Sequence, residues 1–284
     1  MAVSEALSLG ALTLADVASG LALSSGAGWN QTADDWRFFI EQGHAVGFRT
    51  PSGTVVATAA AIVYSGGLGW ISMVLVAPAW RHRGFASLLV ENCIQRLRSA
   101  HITPVLDATP AGEPVYRHLG FRAGFDLERW EGVGALPDAV AAANADVRAA
   151  EAGDVAAIAA LDQAANGVGR RALLGNLLAR RGTQAWIARD GSGFVVAREG
   201  HRATQVGPLV ANEPQAAVEL LTATLQALTG PVFLDVPKRW SGLAQRLEQL
   251  CFARQRPYVR MSLGAGAPLA CGDRMFVLAG PEFG

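Results

Sequence analysis

The stretch that most limits how this chain can fold lies at residues 68 to 98. There an apolar run, a proline, a glycine-bearing turn and an amphipathic segment follow one another. The run from Gly69 to Val76 predicts a buried strand that ends before Pro78. From Phe85 onward apolar residues recur at helical spacing, which predicts a helix that begins inside the turn. The patterns around it give the order β-α-α-β-β-β-α-β-α-β and favour a mixed α/β fold.

The turn of this unit, Arg81-His82-Arg83-Gly84-Phe85-Ala86, has the features of an anion-binding site. The first N–H groups of a helix have no intrahelical partner, and they lie at the positive end of a dipole equivalent to roughly +0.5 charge. Gly84 lacks a Cβ and Ala86 carries only a methyl group, so a phosphate could approach the backbone closely. An ordinary tight turn is the alternative interpretation of the same residues.

Two other phosphate-binding motifs do not fit this turn. A dinucleotide-binding turn needs Gly-x-Gly-x-x-Gly and an acidic residue about twenty residues later, and a P-loop needs Gly-Lys followed by Ser or Thr. The turn has neither pattern, and the only lysine of the chain is Lys238.

Two segments of this half resemble the Gcn5-related N-acetyltransferases. Val76 to Ala86 is similar to motif A of that family, in which Arg/Gln-x-x-Gly-x-Gly/Ala follows a strand and opens a helix. Tyr116 to Phe121 is similar to the family's Tyr-x-x-Leu-Gly-Phe segment. The resemblance implies the family's fold. It also implies that the turn holds the pyrophosphate of acetyl-CoA while the strand's backbone pairs with the pantetheine arm.

The resemblance thus implies acetyl-CoA as co-substrate, and no metal is expected. Thr109 stands where the family often has Asn, and its hydroxyl can still form a hydrogen bond to the pantetheine or an ordered water. The residues expected to bind the coenzyme lie on the strand, in the turn and in the later segment. They are Val74, Leu75, Val76, Arg81, His82, Arg83, Gly84, Phe85, Ala86, Ser87, Thr109 and Tyr116.

The second half of the chain repeats features of the first. Ala152 to Ala156 is similar to Leu14 to Ala18, and Val232 to Pro237 is similar to Val105 to Pro110. These pairs predict a second copy of the fold. The fold class is therefore mixed α/β, with two tandem acyl-CoA N-acyltransferase-like domains.

The two domains are predicted at residues 1-132 and 146-284, joined by a connector at 133-145. The turn of the second domain, Ala211 to Gln215, has no glycine or arginine, and its Glu213 would repel phosphate. The second domain is therefore expected to bind no coenzyme.

Three short segments also resemble a bacterial subgroup of the family in which the second domain is degenerate. They are Gly26 to Gln31, Leu106 to Gly112 and the tail Gly280 to Gly284. An active site at the junction of the two domains would follow if the tail reaches back to the first.

Composition disfavours several other classes of protein. The chain has 24 basic and 24 acidic residues, so its charge does not favour nucleic acid or an acidic membrane surface. No apolar run is long enough to span a membrane, and no signal peptide is expected. Cys93, Cys251 and Cys271 are far apart and form no Cys-x-x-Cys pair, which predicts a cytoplasmic location and no zinc site.

Acetyl transfer needs an oriented thioester, a group that takes a proton from the amine, and a donor for the departing thiolate. By the resemblance, Tyr116 is the donor, and an N–H near Val74 or Leu75 binds the carbonyl oxygen. Many relatives place a Glu on the central strand, but here that strand carries Ser72 and no acid. Asp107, at the end of the next strand, is the first candidate base, with capping of the following helix as its alternative role. The more remote candidates are His44, Glu282 and water alone.

The acceptor is expected near the loop between the first two helices. The candidate acceptor-binding residues are Trp29, Asn30 and Trp70. An aromatic wall would suit a flat or apolar amine, and core packing is the alternative role for each tryptophan.

These observations predict an acetyl-CoA-dependent N-acetyltransferase that acts on a small-molecule amine by direct attack in a ternary complex. The alternative is a catalytically silent acyl-CoA-binding sensor or partner-interaction module, which the missing strand acid motivates. A protein-lysine acetyltransferase is disfavoured because the sequence indicates no acidic groove. A homodimer is left open.

Overall fold

The computed structural model describes residues 7–135, 146–264 and 269–284. The strands in these ranges are β1 (Ser8–Ala11), β2 (His44–Arg49), β3 (Val55–Tyr64), β4 (Leu68–Val76), β5 (Thr103–Ala108), β6 (Arg122–Val133), β7 (Val147–Ala149), β8 (Gln184–Ala188), β9 (Gly193–Arg198), β10 (Thr204–Ala211), β11 (Pro231–Pro237), β12 (Ala253–Ser262) and β13 (Met275–Val277). The α-helices are α1 (Val17–Gly26), α2 (Ala33–Gln42), α3 (Phe85–Ser99), α4 (Glu113–His118), α5 (Val155–Asn166), α6 (Arg171–Ala179), α7 (Pro214–Ala227) and α8 (Ser241–Gln249).

Local sequence sets the starts of several helices. The N–H of Thr32 donates to the Asp35 carboxylate at 2.8 Å, and the Thr32 hydroxyl accepts from the N–H of Asp35 at 3.4 Å. This reciprocal pair is a capping box, and it begins α2. Helix α3 begins after Gly84, whose φ of 82° is a left-handed conformation that glycine adopts without steric cost.

The same order of elements occurs twice. The series from β1 to β6 and the series from β7 to β12 both run β-α-α-β-β-β-α-β-α-β. This repeat confirms the predicted mixed α/β fold with two tandem copies. Most of the predicted connector, residues 136–145, lies outside the described residues.

The two copies share one sheet because their last strands are exchanged. The strand order is β1-β2-β3-β4-β5-β12-β6-β11-β10-β9-β8-β7, and β13 pairs with β10. Strand β12 of the second copy pairs with β5 of the first, and β6 of the first pairs with β11 of the second. The exchanged strands also pair with each other along their lengths. Hydrogen bonds therefore join the two copies directly.

A divergence of neighbouring strands opens the sheet in the first copy. Strands β4 and β5 run parallel but pair only where Leu68–Trp70 meets Thr103–Val105. On the other side of β4, the register with β3 shifts between Thr58 and Ala60, and Met73 has a φ of 53°. This irregularity is a β-bulge, which bends the strand. Beyond the paired residues, the backbone groups of β4 that face β5 have no strand partner.

The C-terminal tail is attached to the first copy. The Phe283 ring stacks on Phe39 with centroids 5.1 Å apart. The Tyr64 hydroxyl donates to the carbonyl of Phe283 at 2.8 Å, and the Trp70 indole N–H donates to the carbonyl of Pro281 at 2.9 Å. The last residues of the chain therefore lie beside β3 and β4.

The described ranges lack two kinds of feature. None of the helices there is long and apolar enough to cross a membrane. Nor do these ranges contain a group of three or more His, Cys, Asp or Glu side chains placed to hold a metal ion.

Candidate active site

The divergence of β4 and β5 opens a cleft of about 1130 Å³. Its walls come from β4, the turn before α3 and the segment between β5 and α4, all in the first copy. Further walls come from the exchanged strands β6 and β12 and from the tail. One cleft is therefore built by both copies of the fold.

The turn before α3 forms one end of this cleft. Arg81, His82 and Gly84 line the cleft and are exposed to solvent. Arg81 Nε donates to the carbonyl of Val76 at 3.1 Å, which ties the turn to the end of β4. His82 has a φ of 60°, a left-handed conformation that is uncommon for residues other than glycine. The first N–H groups of α3 and the positive end of its dipole lie at this turn, so an anion would be stabilised here.

All of the predicted coenzyme-binding residues except Arg83 line the cleft. The Arg83 guanidinium lies over the Trp80 ring, 4.9 Å from its centroid, and donates to the carbonyl of Ala79 at 3.0 Å. The coenzyme role predicted for Arg83 therefore lacks support, because its guanidinium is engaged within the turn. The Thr109 hydroxyl accepts from the N–H of Gly112 at 3.2 Å, and its residue borders the cleft.

Tyr116 lies on α4 at the cleft wall and is half-buried. Its ring packs so closely on Gly112 that a Cβ there would come within 2.8 Å of it. Burial raises the pKa of the Tyr116 phenol, so the group stays protonated at neutral pH. A protonated phenol can donate a proton or a hydrogen bond to a departing thiolate, as the predicted role requires.

Asp107 forms a buried ion pair with Arg260 of β12. Its two carboxylate oxygens accept from Nε and Nη2 of Arg260, each at 2.8 Å, and both side chains are fully buried. Burial raises the pKa of the Asp107 carboxyl, while Arg260 opposes that shift. Taking up a proton would break the pair and leave a guanidinium buried without its counter-ion. The geometry therefore disfavours the base role predicted for Asp107 and assigns the carboxylate to the joint between β5 and β12.

Of the three predicted acceptor-binding residues, only Trp29 lines the cleft. Trp29 is half-buried and lines the cleft. The Asn30 side-chain amide instead exchanges hydrogen bonds with the backbone of Ala203 at 3.0 Å in each direction. Trp70 is fully buried beneath the Arg260 guanidinium, which lies 4.4 Å from its ring centroid. Asn30 and Trp70 do not line the cleft. Instead, Asn30 contacts the second copy at Ala203, and Trp70 contacts it at Arg260.

Several cleft residues received no role, or only a remote one, from the sequence. They are Arg129, Arg256, Tyr258, Pro281 and Glu282. All five lie on the exchanged strands or the tail. The resemblance of the tail to the tandem subgroup was the one signal that could have indicated this region.

Glu282 brings a buried carboxylate to the cleft. Its side chain is only 6% exposed, and Oε1 accepts from Nη2 of Arg198 at 2.5 Å. The same Nη2 donates to the carbonyl of Ala279 at 3.0 Å, which positions the tail. Burial raises the pKa of Glu282, Arg198 and Arg129 oppose this shift, and Asp35 adds to it. A carboxylate whose pKa lies above its usual range is better matched to proton abstraction near neutral pH. Asp107 pairs with Arg260 through both oxygens, whereas Glu282 pairs with Arg198 through Oε1 alone.

Two further polar atoms in the cleft lack hydrogen-bond partners among the described residues. They are Oε1 of Gln31 and Oγ of Ser72. Both residues are buried and line the cleft. Buried polar groups are nearly always paired, so these two atoms are exceptions in the cleft wall.

Two family models match the chain. The model described as "Acetyltransferase (GNAT) family" matches residues 22–121, and the model described as "Acetyltransferase (GNAT) domain" matches residues 158–276. Together the matches cover more than half of the chain. The chain belongs to the Gcn5-related N-acetyltransferase (GNAT) superfamily. GNAT proteins use acetyl-CoA as co-substrate, so membership supports acyl-CoA-dependent N-acyltransferase activity in general.

Other GNAT proteins resemble this one over most of its length. The uncharacterized N-acetyltransferase YitH of Bacillus subtilis is 24% identical over 237 residues, which are 82% of this chain and 83% of YitH. A presumed acetyltransferase from Pyrococcus horikoshii has a TM-score of 0.84 at 17% identity. The match covers 100% of this chain and 98% of the Pyrococcus chain. A tandem GNAT protein from the clavulanic acid biosynthesis pathway has a TM-score of 0.68 at 14% identity. The match covers 92% of this chain and 99% of the tandem protein's chain. These structures share the fold of this chain.

In the second GNAT copy, a strand fills the place that corresponds to the cleft. Strands β10 and β11 also pair in parallel only at their starts, where Thr204–Val206 meets Val232–Leu234. Beyond that point β13 pairs with β10 at Leu209 and Val210. The N–H of the next residue, Leu278, donates to the carbonyl of Asp235 on β11 at 2.9 Å. The gap that is open in the first copy is thus closed by the chain itself in the second.

Proposed function

We propose that this protein is an acetyl-CoA-dependent N-acetyltransferase that acetylates the amine of a small-molecule acceptor by direct attack in a ternary complex. The observation that carries the proposal is the composition of one cleft. It is lined by the anion-binding turn at Gly84, by the protonated phenol of Tyr116 and by the buried carboxylate of Glu282. These groups supply the three requirements of acyl transfer to an amine, which are a held thioester, a proton donor and a base.

Each residue has a defined part in this proposal. The turn binds the diphosphate, and the bulged part of β4 near Val74 and Leu75 offers an N–H to the carbonyl oxygen. As the amine nitrogen bonds to the acyl carbon, Glu282 takes the amine's proton. As the carbon–sulfur bond breaks, Tyr116 gives its proton to the sulfur. The phenol is later reprotonated from solvent, and Glu282 releases the amine's proton to solvent. The products are the N-acetyl amide and free coenzyme A.

The proposal includes one coenzyme per chain. We place the domain boundaries at residues 1-132 and 146-284, with the connector at 133-145, which the repeated order of elements supports. The second domain binds no coenzyme, because β13 occupies its corresponding gap and Glu213 lies at its turn. Its part in function is to supply β12 and the tail to the cleft. A cytoplasmic location and a homodimer stay predictions.

Changing Gly84 to Asp is expected to weaken coenzyme A binding roughly 10- to 100-fold relative to Gly84→Asn. Both side chains tolerate the left-handed conformation that this position requires, so the two variants carry similar strain. They differ in one negative charge, which would face the diphosphate. Calorimetry with coenzyme A gives the two dissociation constants, and equal constants would contradict the placement of the diphosphate at this turn.

Changing Tyr116 to Phe tests the catalytic proposal. We expect kcat to fall by about 10²-fold, because the proton donor for the thiolate is lost while the ring remains. The assay incubates protein, acetyl-CoA and a panel of small amines and follows the release of free thiol. The affinity for acetyl-CoA, measured in parallel, is expected to stay within about twofold, since the change removes a single hydroxyl.

The same assay separates the enzyme from a silent coenzyme sensor. Turnover that depends on Tyr116 supports the enzyme. Tight acetyl-CoA binding by the intact protein, with no thiol released across the panel, favours the sensor.

A further inference from the structure

Two arginines lie directly opposite each other on the exchanged strands that line the cleft. Arg256 of β12 and Arg129 of β6 are partners in the antiparallel register, and both line the cleft. Side chains in such positions lie about 5 Å apart at their Cβ atoms, and like charges there destabilise a sheet. The arrangement therefore needs negative charge nearby.

Only one of the two guanidinium groups has a counter-ion. Arg129 donates from Nε and Nη2 to the two oxygens of Asp235 at 2.9 and 2.7 Å, and this pair is buried. Asp235 also accepts from Gln205 at 2.9 Å, so its oxygens are engaged. Arg256 makes one hydrogen bond within the described ranges, from Nε to Oε1 of Gln255 at 3.2 Å, and pairs with no carboxylate there.

The other acids of the cleft are already committed. Asp107 is held by Arg260 through both oxygens, and Glu282 is bound to Arg198. Tyr258, on the same face of β12 as Arg256, is buried, and burial raises the pKa of its phenol to about 12, so it carries no charge at neutral pH. The part of the cleft lined by the exchanged strands therefore has one guanidinium in excess.

We propose that Arg256 binds an anionic group of the acceptor, so that the acceptor is an amine that also carries a carboxylate or a phosphate-like group. This inference rests on the proposed function and specifies its substrate class. The guanidinium fork matches both kinds of anion through two parallel hydrogen bonds. An amine that carries an anionic group therefore fits this lining better than a purely apolar amine.

A matched series of acceptors tests the inference. The series is propylamine, 3-aminopropanoate and 3-aminopropylphosphonate, together with the aromatic pair phenethylamine and phenylalanine. Binding to the intact protein saturated with coenzyme A is measured by calorimetry, and thiol release is measured with acetyl-CoA. We expect the anionic members to bind roughly 10- to 100-fold more tightly than the neutral ones. The carboxylate and phosphonate arms show which anion is preferred.

Arg256→Gln is expected to abolish this preference without lowering Tm, because it removes a like-charge neighbour of Arg129. Arg254→Gln is the matched control, since Arg254 lies on the same strand outside the cleft and pairs with Glu128 and Glu248. The control should keep the preference for anionic acceptors.

Three results would overturn the inference. They are no preference for the anionic members, a preference that survives Arg256→Gln, and a change confined to the KM for acetyl-CoA. The calorimetric arm does not need turnover. A protein that binds the anionic amines through Arg256 yet releases no thiol would therefore refute the proposed catalysis and leave this inference standing.

Discussion

Replacing Glu282 by Gln is expected to lower kcat by about 10²- to 10⁴-fold, the usual contribution of a positioned general base. The amide keeps the size of the side chain, and the tail keeps its hydrogen bonds to Tyr64 and Trp70. The change also leaves the buried Arg198 guanidinium without this counter-ion, so a lower free energy of unfolding is expected and kcat is measured where both proteins are folded. The affinity for acetyl-CoA should change little, since the turn proposed to bind the diphosphate precedes α3 and does not include Glu282. Steady-state thiol release over a range of acceptor concentrations gives kcat and KM separately.

The dependence of the rate on pH makes this prediction specific to a base. Glu282 acts only when ionised, so kcat of the wild type should rise as pH rises through the pKa of Glu282. That pKa lies above the ordinary value for glutamate because the group is buried. In Glu282→Gln this rise of kcat with pH should disappear. The pH dependence that remains should follow the ionisation of the acceptor amine. If kcat of the variant still rose with pH over the same range, Glu282 would have only a structural role in holding the tail.

Replacing Asp107 by Asn is expected to lower the free energy of unfolding by about 3–5 kcal/mol, with little effect on kcat of the folded protein. The reason is that the change leaves the guanidinium of Arg260 buried without its counter-ion. Denaturant titration gives the free energy of unfolding, and thiol release below the unfolding transition gives kcat.

A double variant provides the control for this prediction. Asp107→Asn combined with Arg260→Met removes both charges, so it should be less destabilised than Asp107→Asn alone. If Asp107→Asn instead abolished turnover in a fully stable protein, Asp107 would be the base and the role of Glu282 would be wrong. The two variants thus separate the carboxylate that holds the sheet from the one that takes the proton.

The position of the cleft was predictable because its main parts are local. The strand that ends before Pro78, the left-handed Gly84 and the apolar stripe of α3 are all encoded within about thirty residues. Strand propensity, a turn that requires positive φ and helical periodicity act on near neighbours in the chain. The same reasoning applies to the second copy, whose elements repeat in the same order.

The roles of individual cleft residues were harder to predict because their partners are distant. Asp107 has the position of a base at the end of β5, but its role depends on Arg260, which is 153 residues away. The sequence suggests that Trp70 forms a wall of the acceptor site. In the structure, however, the tail and Arg260 cover its ring. Arg83 occurs in a basic turn, yet its guanidinium lies over Trp80.

By itself, therefore, the sequence determined the family, the two copies of the fold and the glycine turn before α3, since each depends on short-range patterns. Tertiary structure alone decided that β6 and β12 exchange places, that Glu282 enters the cleft, and that Arg256 faces Arg129. Backbone hydrogen bonds between strands are nearly the same whatever the side chains, so the local pattern of a strand does not specify its neighbour. That choice is made by packing over the whole sheet, and it brings residues of both copies into one cleft.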